Sequence, residues 1–251
     1  MTSRTFLSQH PLFGTKNKPL PPRYQERSVY YWWWEYLRRE ETYSAWCDGD
    51  RTEDYSELFK DFGDVRKTDF RTWWTEDDRG ARLFAEQPRE IRQTRLLSKD
   101  EWKDEWTLDE AAVFVIPLSV GRRKIQSLFA KQLAKIHTGR RGRVSLASAV
   151  STSNYPLVRN FNVHSLKIGL MIYDECRANQ QLPKDDKLPM WAIGQKLKLI
   201  QSALPEKDDT KYETTNKRNV MTVAVSRYMS QTSRMIENTS LGRFPDSATV
   251  N

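Results

Sequence analysis

The sequence YYWWWEYLRREETY, residues 30–43, decides how the first part of this chain folds. Five aromatic residues precede the charged and apolar pattern of a surface helix, and Ser28 is a suitable cap, so we predict one helix from about Ser28 to Cys47. Successive helical positions differ by about 100°, so the five rings point all around the axis. We favour a helix that is packed on most sides within its own domain. In the alternative, another subunit or a nucleic acid covers one side of the helix.

Further aromatic residues follow at spacings that suit short amphipathic helices and can cover the first helix: Tyr55, Phe59, Phe62, Phe70, Trp73, Trp74 and Phe84. We predict an acidic aromatic helical module at 28–110, preceded by an extended proline-containing arm at 1–27. Eight of the nine tryptophans lie before residue 107 among carboxylates, which argues against a base-stacking platform. We expect the module to contact a second copy or another protein through Tyr31, Trp32, Trp33 and Trp34.

The charge is distributed unevenly along the chain. Residues 40–110 hold 21 acidic and 12 basic residues, a net charge of −9 that leaves +17 for the remainder of a chain with net charge +8. No Asp or Glu occurs from Ala111 to Tyr173, a stretch that contains ten Lys and Arg residues. This acid-free stretch predicts a surface for an anionic partner, and the alternative is a solvated basic face.

Several classes of protein do not fit the sequence. The two cysteines, Cys47 and Cys176, lack the spacing of a zinc finger or a disulfide framework. The longest apolar run, AAVFVIPLSV at 111–120, is about half as long as a membrane crossing, and the N-terminus lacks a continuous signal-peptide core. We therefore expect a cytoplasmic protein with no membrane partner.

The fold class that we predict is mainly α with a small β component (α+β), and residues 111–251 form its basic half. The run at 111–120 predicts a buried strand. An amphipathic helix at 122–137 follows, with Ile125, Leu128, Phe129, Leu133 and Ile136 on its apolar stripe, and then a basic loop at 138–143. We expect phosphate contacts from Arg122, Arg123, Lys124, Lys131, Arg140, Arg141 and Arg143.

Three further helices, at 164–179, 189–201 and 216–239, resemble a DNA-reading helix-turn-helix over 164–239. WAIGQKL (191–197) resembles the bracing helix, and VAVSRYMSQTSRMI (223–236) resembles the second helix of bacterial regulators. The resemblance implies DNA contacts from Lys217, Arg218, Asn219, Thr222, Ser226 and Arg227, and inward packing of Val220, Ala224, Tyr228 and Met235. The long polar connection at 202–215 departs from the pattern, and a plain three-helix bundle is the alternative.

The chain also resembles uncharacterised proteins of bacterial prophages and integrative elements. The resemblance rests on YWWWEYLRR (31–39), DFGDV (61–65) and WWTEDDRGARLFAE (73–86), and covers about half of the chain. It implies a setting on a mobile genetic element and no particular chemistry.

No catalytic residue, metal ligand or cofactor site is predicted. His10, His137 and His164 lack partners at ligand spacing, Cys47 lacks an electropositive setting, and no glycine-rich phosphate loop occurs. The acidic residues Asp48, Asp50, Asp61, Asp64 and Glu76 to Asp78 leave a metal-dependent nuclease as a minor alternative.

These observations predict a DNA-binding protein, without enzymatic activity, that regulates or maintains a mobile genetic element. Duplex DNA is the expected ligand. The alternatives are an RNA-binding or structural subunit of a ribonucleoprotein or multiprotein assembly, and the nuclease.

Overall fold

The computed structural model describes residues 6–15, 17–86, 114, 116, 119–136, 151–158 and 161–249. The chain divides into two compact units. The larger combines Met1–Gln87 with Ser145–Asn251, and the smaller comprises Pro88–Val144. The two units are described separately below.

The described residues are mainly α-helical. The helices are α1 (Val29–Leu37), α2 (Glu41–Cys47), α3 (Ser56–Phe62), α4 (Phe70–Thr75), α5 (Arg79–Phe84), α6 (Arg122–Ile136), α7 (Val163–Gln181), α8 (Met190–Lys196) and α9 (Lys211–Ser240). The helix α6 belongs to the smaller unit, and the other helices belong to the larger one. Short 3-10 turns occur at Pro22–Arg27, Glu76–Asp78, Lys184–Asp186 and Gln201–Ala203.

The predicted β component is not seen in the described parts of the chain. Their β pairing consists of isolated bridges, among them Gly14 to Pro19 and Leu157 to Phe244. Most of the predicted strand at 111–120 lies outside the described residues, and the members that are described, Phe114, Ile116, Ser119 and Val120, are not in a strand.

The aromatic helix α1 is buried in the protein's own core. This confirms the prediction that it packs on most sides within its own domain. Trp33 is fully buried, and its ring lies 5.2 Å from that of Phe84 and 5.4 Å from that of Phe244, between centroids. Tyr30, one turn earlier, contacts Trp74 and Phe84, and Tyr31 contacts Phe70 on another side of the helix. Rings from α4, α5 and the C-terminal tail pack around α1. These intramolecular contacts bury the apolar surface that α1 has on most of its sides.

The single helix predicted from Ser28 to Cys47 is wrong, because the chain forms two helices there. Ser28 does cap α1 by accepting a hydrogen bond from the backbone N–H of Tyr30. The chain then leaves the helical conformation at Glu40, whose buried carboxylate accepts hydrogen bonds from the backbone N–H of Tyr43 and the Thr42 hydroxyl. Glu40 thus acts as the N-cap of α2 and ends the continuity of the aromatic segment.

The structure groups the residues differently from the predicted division near residue 110. Helix α1 packs against α7 and α9, and one core contains Trp33 and Phe62 together with Leu166, Met235 and Phe244. The Tyr36 hydroxyl donates a hydrogen bond to the backbone carbonyl of Leu166, at 3.1 Å. The aromatic module therefore cannot be a separate domain, because its rings are covered by helices from the C-terminal part of the chain.

The predicted arm at 1–27 lies partly on this core. Phe6 and Phe13 pack against the buried aromatic cluster, and the Ser28 hydroxyl donates a hydrogen bond to the carbonyl of Gln9. Residues Pro22–Arg27 form a 3-10 turn that leads into α1.

Helices α7, α8 and α9 form a three-helix unit. Ile172, Cys176, Ile193 and Val225 make up a second buried cluster between them. Gly194 allows α8 to approach α9 closely, because a Cβ atom at this position would lie 3.1–3.3 Å from side-chain atoms of Val225 and Met221. The bracing role predicted for this helix is thus matched by its packing, with Ile193 buried and Leu197 partly covered.

Candidate nucleic-acid interface

Helix α6 carries five exposed cations and no acidic residue. Arg122, Arg123, Lys124, Lys131 and Lys135 are all exposed, and none of them forms an ion pair with any residue in the described parts of the chain. Intervals of seven and four residues place Lys124, Lys131 and Lys135 on one face of the helix. This face concentrates positive charge, and no carboxylate of the described residues forms an ion pair with it, which suits contact with phosphates.

The apolar side chains of α6 are only partly covered, and Leu128 lies beside the lysines, four residues after Lys124 and three before Lys131. Ile125 and Leu133 are half-buried, whereas Leu128 is 45% exposed and Phe129 is 37% exposed. Phe114 contacts the ring of Phe129 edge-on, with centroids 4.8 Å apart. Of the predicted apolar stripe, only Ile125 and Leu133 are therefore partly covered, and the side chain of Ile136 lies outside the described part.

Three predicted phosphate-binding residues, Arg140, Arg141 and Arg143, lie outside the described residues.

Lys217, predicted to contact DNA, is instead neutralised within the protein. Its ammonium group donates a hydrogen bond to Asp209 at 2.6 Å and lies 3.4 Å from a carboxylate oxygen of Glu206, and its side chain is only 17% exposed. The hydrogen bond to Asp209 raises the pKa of Lys217. Since both acids lie in the connection before α9, this lysine ties the connection to the helix, and its contact with DNA stays a prediction that this ion pairing does not favour.

Two other residues predicted to contact DNA, Thr222 and Arg218, interact with groups of the protein itself. Thr222 is half-buried, and its hydroxyl donates to the carbonyl of Arg218 one turn earlier, at 2.9 Å. The guanidinium of Arg218 lies over the ring of Trp191 of α8, 4.3 Å from its centroid, and remains exposed. Stacking fixes the position of this cation without neutralising it, so Arg218 stays available for an anion.

The remaining predicted contacts, Asn219, Ser226 and Arg227, lie on one exposed face of α9. Asn216, Val223, Ser230 and Arg234, which were not in the predicted set, lie on the same face, because all are spaced by three or four residues. The inward side holds Met221, Ala224, Val225 and Met235, all buried, so the inward packing predicted for Ala224 and Met235 is confirmed.

Val220 was predicted to face inward, and this is wrong. Its side chain is 40% exposed. Val220 lies at the boundary between the buried side of α9, which holds Ala224, and the exposed face, which holds Asn216 and Val223. Helix α9 also begins earlier than predicted, at Lys211, where Thr210 and Glu213 form a reciprocal capping box.

The connection between α8 and α9 differs from a tight helix-turn-helix turn. Helix α8 ends at Lys196, Lys198 adopts a left-handed conformation with φ of 50°, and a 3-10 turn at Gln201–Ala203 precedes the acidic loop. Ala203 is buried against the unit. The three helices therefore provide an exposed helix on a braced support, with an insertion in place of the short turn.

The predicted protein-contact residues are not available on the surface. Trp32, Trp33 and Trp34 are buried, and Tyr31 is half-buried with its hydroxyl donating to Glu35 at 3.0 Å. The assignment of these four residues to a docking surface is therefore wrong, because the folded chain itself covers the aromatic segment.

Among the acidic residues considered for metal binding, Asp48, Asp61 and Asp64 form ion pairs with arginines. Arg66 forms ion pairs with Asp48 at 2.6 Å and with Asp64 at 2.9 Å, and its hydrogen bonds lower the pKa of both carboxyls. Asp61 accepts hydrogen bonds from Arg82 and from the Tyr155 hydroxyl, at 2.8 and 2.9 Å. Among the described residues, no three His, Cys, Asp or Glu side chains are grouped so that they could hold a metal ion.

The described cysteines and histidines show no nucleophilic arrangement. Burial is the main cause that raises the pKa of the Cys47 and Cys176 thiols, which disfavours the reactive thiolate. Burial also lowers the pKa of His10, which packs edge-on against Phe6 and Trp74. His137 lies outside the described residues.

Comparison of the chain with protein-family models, with curated proteins and with solved structures found no match. Within the described residues, no helix combines the length and the apolar character needed to cross a bilayer.

Proposed function

We propose that this protein binds nucleic acid, with duplex DNA as its ligand, and serves in the regulation or maintenance of a mobile genetic element. The observation that carries the proposal is the set of exposed cations on α6, a helix that contains no acidic residue and whose cations form no ion pair with a described residue. The setting on a mobile element is supported by the resemblance of the aromatic motif alone.

In this proposal α6 supplies affinity that does not depend on sequence. Each cation that approaches a phosphate releases condensed counterions, so the affinity falls as the salt concentration rises. The exposed face of α9 supplies hydrogen-bonding groups, including Asn219 and Arg227, that can reach base edges in a major groove.

Double-stranded DNA is favoured by the form of the α7–α9 unit. A long exposed helix on a braced support fits the major groove of B-DNA, whereas the major groove of an RNA duplex is too narrow to admit it. The rings of α1, α4 and α5, which could otherwise stack on single-stranded bases, are instead packed in the core.

The test is a binding titration with duplex DNA, single-stranded DNA and RNA of equal length at several salt concentrations. The double variant Lys131→Glu, Lys135→Glu should weaken duplex binding and reduce the salt slope by about two. The control Lys18→Glu, Lys60→Glu makes the same change in net charge on exposed lysines of the larger unit and should leave the slope near that of the wild type.

Two outcomes would refute the proposal. Equal effects of the two double variants would show that only net charge matters and that α6 is not the contact. Stronger binding to RNA than to duplex DNA at equal salt would identify the protein as an RNA-binding subunit instead.

A further inference from the structure

The middle of the exposed face of α9 places an apolar side chain between hydrogen-bonding ones. Val223 is 66% exposed, Asn219 precedes it by about one turn, and Arg227 follows it by about one turn. Their spacing of four residues aligns these side chains along the helix. Asn216 lies on the same face, one turn before Asn219.

The side chains of this face have no structural task within the described residues. The amides of Asn216 and Asn219 form no hydrogen bond with another described side chain or backbone group. The neighbours Met221, Ala224 and Val225 supply the packing on the inward side, so Val223 is not needed for the core. The face is therefore free to bind a ligand along its length.

The charge of α9 indicates a polyanion. Between Glu213 and Glu237 the helix contains no acidic residue, and Arg218, Arg227 and Arg234 are exposed there. A second copy docked on this face would bring arginines of both copies together without acids to neutralise them, whereas the phosphates beside a major groove match them.

The pattern of an amide beside an apolar group matches the major-groove edge of A·T base pairs. Adenine presents an acceptor and a donor that one Asn amide can bind together, and thymine presents a methyl group that accepts an apolar contact. Side chains one helical turn apart lie about 5–6 Å apart, which spans one to two base steps of roughly 3.4 Å each.

We infer that α9 reads A·T pairs in the major groove, with Asn219 bound to adenine and Val223 against the methyl group of a neighbouring thymine. This inference rests on the proposed function, because it requires that α9 enters a DNA groove. Arg227 then lies near the next base edge, and Arg234, two turns further along the helix, lies toward the phosphates.

The test compares three duplexes of equal length with alternating sequence: dA–dT, dA–dU and dG–dC. Uracil lacks only the methyl group of thymine, so the comparison of dA–dT with dA–dU isolates that contact. The wild type should bind dA–dT at least about fivefold more tightly than dG–dC, and more tightly than dA–dU. Val223→Ala should remove the difference between dA–dT and dA–dU, and Asn219→Ala should reduce the preference over dG–dC.

The control is Val220→Ala, which removes the same atoms from a less exposed valine on the edge of the face and should preserve the difference between dA–dT and dA–dU. Equal binding of the wild type to all three duplexes would overturn the inference and leave the proposed function intact. Absence of binding to every duplex would overturn both. A change in oligomeric state in Val223→Ala, with unchanged duplex binding, would identify the face as a self-association surface and also overturn the inference.

Discussion

Trp33 of α1 and Phe244 of the C-terminal tail lie in ring contact, with their centroids 5.4 Å apart. Both side chains are fully buried, and they come from opposite ends of the chain. Tyr36 contacts the same phenylalanine from the next turn of α1. This contact joins the aromatic N-terminal segment to the C-terminal segment in one core, so the two should unfold together.

The contact predicts measurable coupling between its two members. Trp33→Leu and Phe244→Leu should each lower the free energy of unfolding, and the double variant should lose less than the sum of the two by about 0.5–1.5 kcal/mol. Urea denaturation of the four proteins measures this difference. In the control cycle, Phe59→Leu replaces Trp33→Leu, because Phe59 contacts Trp46 and should be additive with Phe244→Leu. Additivity in both cycles would contradict the contact.

A second prediction concerns Gly169, where α7 approaches both α1 and α9. A Cβ atom at this position would lie 2.6 Å from the Thr232 hydroxyl oxygen and 3.1 Å from that of Tyr36. Gly169→Ala should therefore lower the free energy of unfolding by about 1–3 kcal/mol, although alanine is the better helix former. Thermal or urea denaturation provides the measurement.

The matched control for this change is Gly121→Ala, since a Cβ atom at Gly121 meets nothing within 4 Å. A partial rescue should follow when Thr232→Ala is combined with Gly169→Ala, because the closer of the two oxygens is removed. If Gly169→Ala proved as harmless as the control, the close approach of these helices would be refuted.

The elements that could be predicted from the sequence are those with strong local signals. Helix α7 follows a clear apolar period with Asn162 as its cap, and the burial of α1 follows from rings at successive positions. The break between α1 and α2 was not predicted because its cap is Glu40, and glutamate is not among the residues that usually cap helices.

The contacts between distant segments could not be predicted from local patterns. Neither periodicity nor capping relates Trp33 to Phe244, so one core was divided into two predicted domains. At the candidate site, the sequence predicts Lys217 as a free cation of the DNA-binding face, because local patterns do not show the acids that neutralise it. Glu206 and Asp209 precede it in the sequence, but only the fold of the connection brings them to its ammonium group.

A third prediction concerns the effect of pH on the Asp64–Arg66 pair. The hydrogen bonds from Arg66 hold the pKa of the Asp64 carboxyl below its ordinary value, and this side chain is only 5% exposed. A carboxyl whose pKa is lowered by folding contributes stability above its unfolded pKa, near 4, and loses that contribution as the pH falls toward its folded pKa. Asp64→Asn should therefore cost about 1–2 kcal/mol at pH 6 and progressively less below pH 4.

Urea denaturation at a series of pH values from 6 to 3 measures this dependence. Asp185→Asn is the control, because Asp185 is exposed and forms no ion pair with a described residue, and it should change stability by less than about 0.5 kcal/mol at pH 6. A cost for Asp64→Asn that stays constant down to pH 3 would show that the carboxylate charge is not involved.

The last prediction separates two cations of α9 that the sequence alone does not distinguish. Lys217 is neutralised by Asp209 and Glu206, whereas Arg234 is exposed on the proposed DNA-binding face without an ion pair in the described part of the chain. Lys217→Ala should lower the stability of the connection before α9 and leave the salt slope of duplex binding unchanged. Arg234→Ala should preserve the stability and reduce that slope by about one, as expected for the loss of one phosphate contact. Denaturation and salt titration of both variants measure the two effects. A smaller salt slope for Lys217→Ala and an unchanged slope for Arg234→Ala would contradict this prediction. That result would mean that the acidic connection opens when DNA binds and releases Lys217 to the phosphates.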